Sequence, residues 1–411
     1  MKVRSITCFF DPSSPAGALL PARLAEFVQT ASARFQQAGY EVETVRLATT
    51  PFPLQLKNME KQAAVELAQS MEEQAAACNF TYLSLGPAMP LAPASYDLIP
   101  AMLAATRNTF FSGIIAAPHG GISMPAVHAC GRVIADSATL EPDGFANLRF
   151  TALANVPAGV PFFPASYHKG GRPAFALALE AADLVEAAFK AEGELLPALE
   201  HLRASLNEHA AALERVAAEL TANQHISYIG LDFSPAPFPQ PGCSLAGGME
   251  SAGVTIGQSG AVAAAALLTQ VLDEGKWKKT GFNGMMLPVL EDAVLAQRSS
   301  QGALSIQDLL LYSAVCGTGL DTVPLPGSAT AAQLSAVLLD VAALSLRLSK
   351  PLTARLMPIP GKAAGDPTTF DFAYFANGGV LALNAEPLTT PIASADSIPL
   401  SPHRRLLARR R

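Results

Sequence analysis

The chain has 411 residues, of which 50% are hydrophobic and only 15% charged, with 32 Pro and 30 Gly. Charge is scarce against the roughly 25% of an average globular protein, which excludes a coiled coil or a disordered, solvated chain. Setting aside Arg404, Arg405, Arg409, Arg410 and Arg411, the body carries 23 basic and 34 acidic residues, 23 − 34 = −11, a balance that argues against a nucleic-acid partner.

The start, MKVR before SITCFF, has too short an apolar run for a secretory leader. The stretch AVAAAALLTQVL from Ala261 is too short and too polar to span a bilayer, so no membrane partner is expected. Five cysteines, an odd number with no CxxC pair, suit reduced thiols, and the chain reads as cytoplasmic.

VRSITCFF reads as a buried strand closed by the turn residues DPSSP. A helix follows from Pro21 to Gln37 and stops at Gly39. EVETVRL is the next strand; then Asn58 is expected to cap a helix with apolar residues at Met59, Ala63, Leu67, Met71 and Ala75. FTYLSLG, FFSGIIAA, RFTALAN, AFALAL and ISYIGLDF are further short apolar runs separated by helix-length segments, the pattern of parallel strands buried on both faces. SLNEHAAALERVAAELTAN is a long amphipathic outer helix. GMMLPVL reads as a strand, helices follow near Glu291 and Ser305 and from Ala331 to Leu348, and TARLMPIP is the last strand. Residues 1–385 are therefore expected to form one α/β domain, with a Pro-rich and then Arg-rich flexible tail over 386–411. The Ala-rich helix from Ala331 and the sparse surface charge point to a homo-oligomer.

No GxxxxGK[ST], HExxH or strand-linked GxGxxG is present, and the seven His show no HxH or HxxxH spacing, so no cofactor is expected and any metal site would have to be assembled from distant segments. GQSGA at Gly257 is one residue from a nucleophile elbow, with PHGG at Pro118 resembling an esterase oxyanion loop. Only His403 follows Ser259, so Ser259 reads better as a helix N-cap than as a serine hydrolase nucleophile.

Three rigid loops gather the scarce polar groups. LDFSPAPFPQPGCS carries Asp232 and Ser234, SAVCGTGLD carries Cys316 and Asp321, and ARLMPIPGKAAGD carries Arg355, Lys362 and Asp366. Cys316 between a helix and two glycines is a candidate nucleophile, the alternative being a packing cysteine. Arg355 within an apolar strand needs a carboxylate or an anionic ligand, and Lys362 after PG suits an anion or an ordinary turn. Glu291 and Asp292 form an acidic pair that could orient a ligand or favour a helix amino end, and His168 is a candidate general acid or base.

Taken together, VRSIT, GISMPAVHACGRVIADSA, LANVPAGVPFFPASYHKG, LDFSPAPFPQPGCS, GMMLPVLED, VCGTGLDTVPLPG and TARLMPIPGKAAGD resemble the domain of unknown function 711 family, also called uncharacterised protein family 0210, over most of residues 3–380. The resemblance implies a fold like pyruvate formate-lyase: a closed α/β barrel of about ten strands surrounded by helices, with a loop threaded toward its centre. By that analogy VCGTGLD, with Cys316, would be the threaded loop. The chain lacks an RVxGY-type glycyl-radical segment, and FDFAYFANGG stands where the family usually carries a Gly-rich FGGLLG. The expectation is a non-radical enzyme or enzyme-like protein for a small anionic metabolite, with Cys316, Asp321 and His168 as chemical groups and Arg355 and Lys362 as an anion clamp. The alternative is a metabolite-binding regulatory or scaffold protein without turnover.

Overall fold

The computed structural model describes residues 1–222 and 225–402; His403 and the Arg-rich tail lie outside the described residues. The strands are β1 (Lys2–Phe10), β2 (Val42–Thr49), β3 (Tyr82–Ala88), β4 (Thr109–Ala117), β5 (Gly121–Ser123), β6 (Phe150–Ala154), β7 (Ala174–Glu180), β8 (Ser227–Ala236), β9 (Gly319–Pro326), β10 (Leu352–Ile359) and β11 (Ser397–Ile398). The helices are α1 (Leu20–Gln37), α2 (Lys61–Ala77), α3 (Ile99–Ala105), α4 (Met124–Ser137), α5 (Ala182–Glu192), α6 (Leu195–Thr221), α7 (Leu245–Ser251), α8 (Ala261–Asp273), α9 (Ala293–Ser300), α10 (Ile306–Val315) and α11 (Ala331–Leu348).

All strands join one mixed sheet of order β8-β7-β1-β2-β3-β4-β6-β10-β9, with β5 against β4 and β11 against β5. The run β1-β2-β3-β4-β6 is parallel. It is flanked by β7–β8 and β9–β10, two parallel pairs that run antiparallel to it. The expected all-parallel arrangement is thus corrected to a mixed one. A buried parallel strand and a buried antiparallel strand have the same apolar composition, so composition carries no direction.

The expected closed barrel is also corrected: no hydrogen bonds join β8 to β9, and the sheet is open between them. Segment 278–291 fills the gap. It makes one isolated bridge to each edge, Lys279 with Leu231 and Pro288 with Asp321. GMMLPVL, expected as a strand, is this extended filler, whose pairing with β9 stops where the chain turns and Glu291 N donates to Pro288 O at 3.2 Å. Asp232 fastens it: Oδ1 accepts from Asn283 N at 3.0 Å, and Oδ2 accepts from Phe282 N at 3.0 Å. Gly281 precedes this clasp with φ +75°, and a Cβ there would lie 2.0 Å from Asp232 Oδ2.

Helices cover one face of the sheet. Ile6, Cys8 and Phe10 of β1 pack with Leu24, Phe27 and Phe35 of α1 in the main apolar core. The other face is filled by chain. Phe163 packs with Phe9, Ala48, Phe110 and Ala176 from four strands. Phe162 packs with Leu153, Ala236, Phe282 and Met286. Strands from both ends of the order therefore touch one segment, 155–168, and the sheet is curled around it. Thr7 Oγ1 donates to Pro161 O at 3.3 Å and Ser84 Oγ donates to Ser166 O at 2.6 Å. The segment on this face is LANVPAGVPFFPASYH, whereas VCGTGLD leads into β9.

Local capping decides two helix starts, while two expected caps are corrected. Ser305 and Asp308 form a capping box on α10, and Thr330 and Gln333 one on α11. α2 begins at Lys61 after Glu60, so Asn58 does not cap it, and α8 is capped by Gly260, leaving Ser259 exposed before it. β9 went unread because Pro324 and Pro326 speak against a central strand; it is an edge strand, where Pro is tolerated. By length and apolarity α11 could cross a membrane, but half of it is buried, with Leu334, Leu338, Val341 and Ala342 in the core beside α4. Part of the expected loose tail is attached: β11 pairs with β5, and Leu388, Ala395 and Leu400 pack on the core.

Asp292 caps two helices at once. It accepts from Val294 and Leu295 at the start of α9, and from Ser244 Oγ, Leu245 N and Ala246 N at the start of α7. Its removal in Asp292→Ala strands several buried donors and should lower stability by about 3 kcal/mol in urea unfolding. A loss below about 0.5 kcal/mol would show that the two helix ends do not depend on it.

Candidate functional site

The register of the curled sheet puts polar side chains on the face away from the helices. Ser5 pairs with Thr44, Thr7 with Arg46, and Arg46 with Tyr82, while Ser84 pairs with Phe110 and Ser112 with Thr151. Residues paired across a ladder share a face, so these belong to one inward row. Two bulges add charge to it. One between Val3 and Ser5 places Arg4 as an extra residue opposite β7. The other sets Asp321 and Thr322 of β9 opposite the single Arg355 of β10. Thr322 has φ +41°, a left-handed conformation that a β-branched residue adopts only under strain, and this kink brings Asp321 onto Arg355.

The result is a buried chain of charges. Arg355 Nε donates to Asp321 Oδ1 at 2.5 Å and Nη2 to Glu291 Oε1 at 2.8 Å; Arg4 Nη2 donates to Glu291 Oε2 at 2.5 Å. The Arg355 guanidinium lies 5.6 Å from the Phe162 ring. Burial would push Glu291 up, but Arg355 and Arg4 outweigh it and hold this carboxyl below its ordinary range. Burial, with the Glu291 charge, pushes Asp321 up against the pull of Arg355, and its Oδ2 has no hydrogen-bond partner.

Arg4, Phe162, Glu291 and Arg355 edge a cavity of about 160 Å³. Its wall includes Arg4, Glu43, Arg46, Tyr82, Phe110, Phe163, Asp232, Ser234, Glu291, Arg355, Phe372 and Tyr374. It lies at the amino ends of β1 to β4, where β7 and β8 run out at their carboxyl ends. Doubly wound sheets bind ligands at the carboxyl ends of their strands; here the antiparallel flanks bring carboxyl ends to the other side.

Arg46 stands apart from the other cations of the wall. Nε donates to Thr44 Oγ1 at 3.0 Å, and the guanidinium lies 5.2 Å from the Phe163 ring and 5.8 Å from Tyr82. Among the described residues no carboxylate pairs with it and no acceptor meets Nη1 or Nη2. Burial and the like charge of Arg4 push its pKa down to about 10.

At the strand ends beside Arg4, the carboxyls of Glu43 and Glu180 meet. Burial and the Glu43 charge push Glu180 up to about 8, with Arg4 and Lys2 opposing, and Glu180 Oε2 is buried without a protein partner. Lys2 Nζ lies 3.6 Å from Glu43 Oε1. Glu180 therefore retains its proton near neutral pH.

Of the residues expected from sequence, Arg355, Asp321 and Glu291 are bonded to one another, and Asp232 and Ser234 share the wall with Arg355 and Glu291. Asp232 is occupied as a clasp, since Ser234 Oγ and three backbone N–H groups also donate to it. Asp292 turns to the helix ends. Cys316 is buried at the carboxyl end of α10, outside the wall, and burial pushes its thiol up even against nearby Lys350. His168 sits past β2, its N–H bonded to Thr49 O at 2.9 Å, five residues and about 16 Å along from Thr44. Burial lowers its pKa, and Nδ1 has no partner. Lys362 and Asp366 form a turn after β10, with Asp366 Oδ2 accepting from Ala363 N at 2.7 Å, and neither lines the cavity. Among the described residues no three His, Cys, Asp or Glu side chains converge as metal ligands.

Arg4, Glu43, Arg46 and Glu180 were missed. The available signal was alternation: in EVETVRL, Thr44 and Arg46 fall on one face, and Val45 and Leu47 on the other.

Two outcomes follow from this geometry. Arg355→Ala leaves Asp321 as a buried carboxyl without its partner and Glu291 with Arg4 alone, and should lower stability by about 3 kcal/mol in denaturant unfolding. The folded chain keeps the Glu180 proton between about pH 4.5 and 8, while the unfolded chain loses it, so this group makes stability fall as pH rises through that window. Glu180→Gln removes that loss, and its melting temperature relative to wild type should climb from pH 5 to pH 8; a constant difference would place the proton elsewhere.

Comparison with known proteins agrees with these sequence signatures. Residues 1–376 match the family described as Uncharacterised ACR (DUF711). A UPF0210 protein of Pyrobaculum aerophilum is 31% identical over 359 residues, covering 83% of this chain and 77% of the relative. One from Pyrobaculum arsenaticum is 30% identical over 344 residues, covering 80% and 76%. One from Lactiplantibacillus plantarum is 28% identical over 403 residues, covering 92% and 87%. The bulged arginines and their carboxylates thus belong to a chain that is a member of the DUF711, or UPF0210, family.

Proposed function

We propose that the cavity on the filled face of the sheet binds a small anionic molecule, and that Arg46 receives it. The observation that carries this reading is a partly buried guanidinium with two Nη groups free of protein acceptors, in a wall where Arg4 and Arg355 already share carboxylates. A partly buried guanidinium with no carboxylate in ion-pair distance keeps open donors, and an anionic ligand would take them. This assigns the clamp to Arg46, with Arg355 as the group that fixes Glu291 and the bulge behind it.

The Glu43–Glu180 pair supports an enzyme-like role, because it holds a transferable proton beside the same wall. The placement of Cys316 and His168 away from the cavity favours the other reading, binding without turnover, over cysteine chemistry. Kinship with pyruvate formate-lyase barrels belongs to the proposal as well; the curled sheet with a segment on its inner face supports it.

A thermal-shift screen of small carboxylates and phosphates tests the anion reading, since a ligand bound to the native state raises its melting temperature. At least one anion should raise the wild-type melting temperature in a saturable way. Arg46→Met should abolish the effect and Arg46→Lys weaken it about tenfold or more. Anions that shift wild type and Arg46→Met equally would overturn the assignment.

A further inference from the structure

We propose that the ligand is a monocarboxylate with a flat, aromatic body, its carboxylate held by Nη1 and Nη2 of Arg46. This rests on the anion reading above and narrows it through charge and wall chemistry.

The charge argument concerns what the wall can still neutralise. Arg4 and Arg355 share Glu291, and Arg355 also holds Asp321. Arg149 donates to the carbonyls of Leu103 and Thr106 and lies 3.6 Å from Glu141. Arg107 is exposed at the mouth. Among the described residues Arg46 is the one wall guanidinium inside the mouth without an ion-paired carboxylate, and Glu43 and Glu291 act on it only at longer range. One unpaired inner cation matches a single negative charge. A phosphate dianion or a dicarboxylate would bring a second charge beside Glu43 and Glu291, and the further unpaired guanidinium of the wall, Arg107, is solvent-exposed.

The shape of the free donors points the same way. Nε is engaged with Thr44, so the edge left open is the pair of Nη groups, the fork that pairs with the two oxygens of a planar carboxylate.

The remaining wall is aromatic. Tyr82 and Phe110 meet edge-on at 5.3 Å, and Phe110 and Phe163 at 5.4 Å. Phe145 meets Phe372 at 5.1 Å, and Phe372 lies 5.3 Å from Tyr374. Such a surface gains by burying an apolar ring and takes it best in stacked or edge-to-face contact. A small hydrophilic acid such as acetate would leave most of it uncovered. Phe372 and Tyr374 come from FDFAYFANGG, so the departure from a Gly-rich segment supplies rings to this wall.

Isothermal titration and melting of the full chain with benzoate, phenylacetate, acetate, succinate and inorganic phosphate decide the matter. Benzoate or phenylacetate should bind saturably and at least tenfold more tightly than acetate. Succinate and phosphate should give no shift at the same concentration, and Arg46→Met should lose benzoate binding. Succinate or phosphate binding through Arg46 without benzoate overturns this inference and leaves the anion reading standing; binding of no anion overturns both. Acetate equal to benzoate removes the aromatic body from the proposal. Should Arg46→Met fail to fold, the wild-type ranking of the five acids decides, because only the proposed class places benzoate and phenylacetate above all three others.

Discussion

A curled sheet with no ladder between its edge strands must be held across the gap by side chains, and here the chain Arg4–Glu291–Arg355–Asp321 does it. Its members come from β1, the filler segment 278–291, β10 and β9, so one charge network ties the middle of the sheet to its open seam. Asp232 adds the matching attachment on the β8 side. Remove the network and the filler keeps, on the β9 side, one isolated bridge and the hydrogen bonds of Thr318 and Thr322. The bulge at Asp321–Thr322 is the geometric condition for it, because without the extra residue the carboxylate would follow the strand's alternation.

The same network decides what the cavity offers. A buried ion pair contributes little net stability, since desolvation offsets attraction, but it fixes geometry and consumes charge. Two arginines of the wall are consumed in this way, and Arg46 is left with aromatic neighbours and a threonine. Selectivity for an anion therefore follows from which cations the scaffold needs for itself. Glu180 extends the pattern, as burial and the neighbouring Glu43 charge keep its carboxyl protonated.

Much of this was legible in the sequence, for identifiable reasons. β1, β2, β4, β6, β7, β8 and β10 announce themselves as short β-branched and aromatic runs, and α10 and α11 carry their capping boxes openly. Arg355 needed a carboxylate by its setting in an apolar strand, and the structure supplies Asp321 and Glu291. What stayed hidden was non-local. Strand direction and the open seam depend on pairings that composition does not encode. The threaded segment is 155–168, while the glycines around Cys316 serve a helix end and the entry to β9. Arg46 was readable only as one polar member of a period-two row, a weak signal when the strand is expected to be buried on both faces.

The prolines of the edge strands bear on a different property. An unladdered seam leaves two strand edges with free donors and acceptors, and such edges invite pairing with another chain. Pro235 in β8 and Pro324 and Pro326 in β9 remove N–H groups from those edges, and segment 278–291 covers part of the rest. The Pro-rich composition thereby protects a curled, open sheet against edge-to-edge aggregation, a hazard that a fully closed barrel avoids by having no edges.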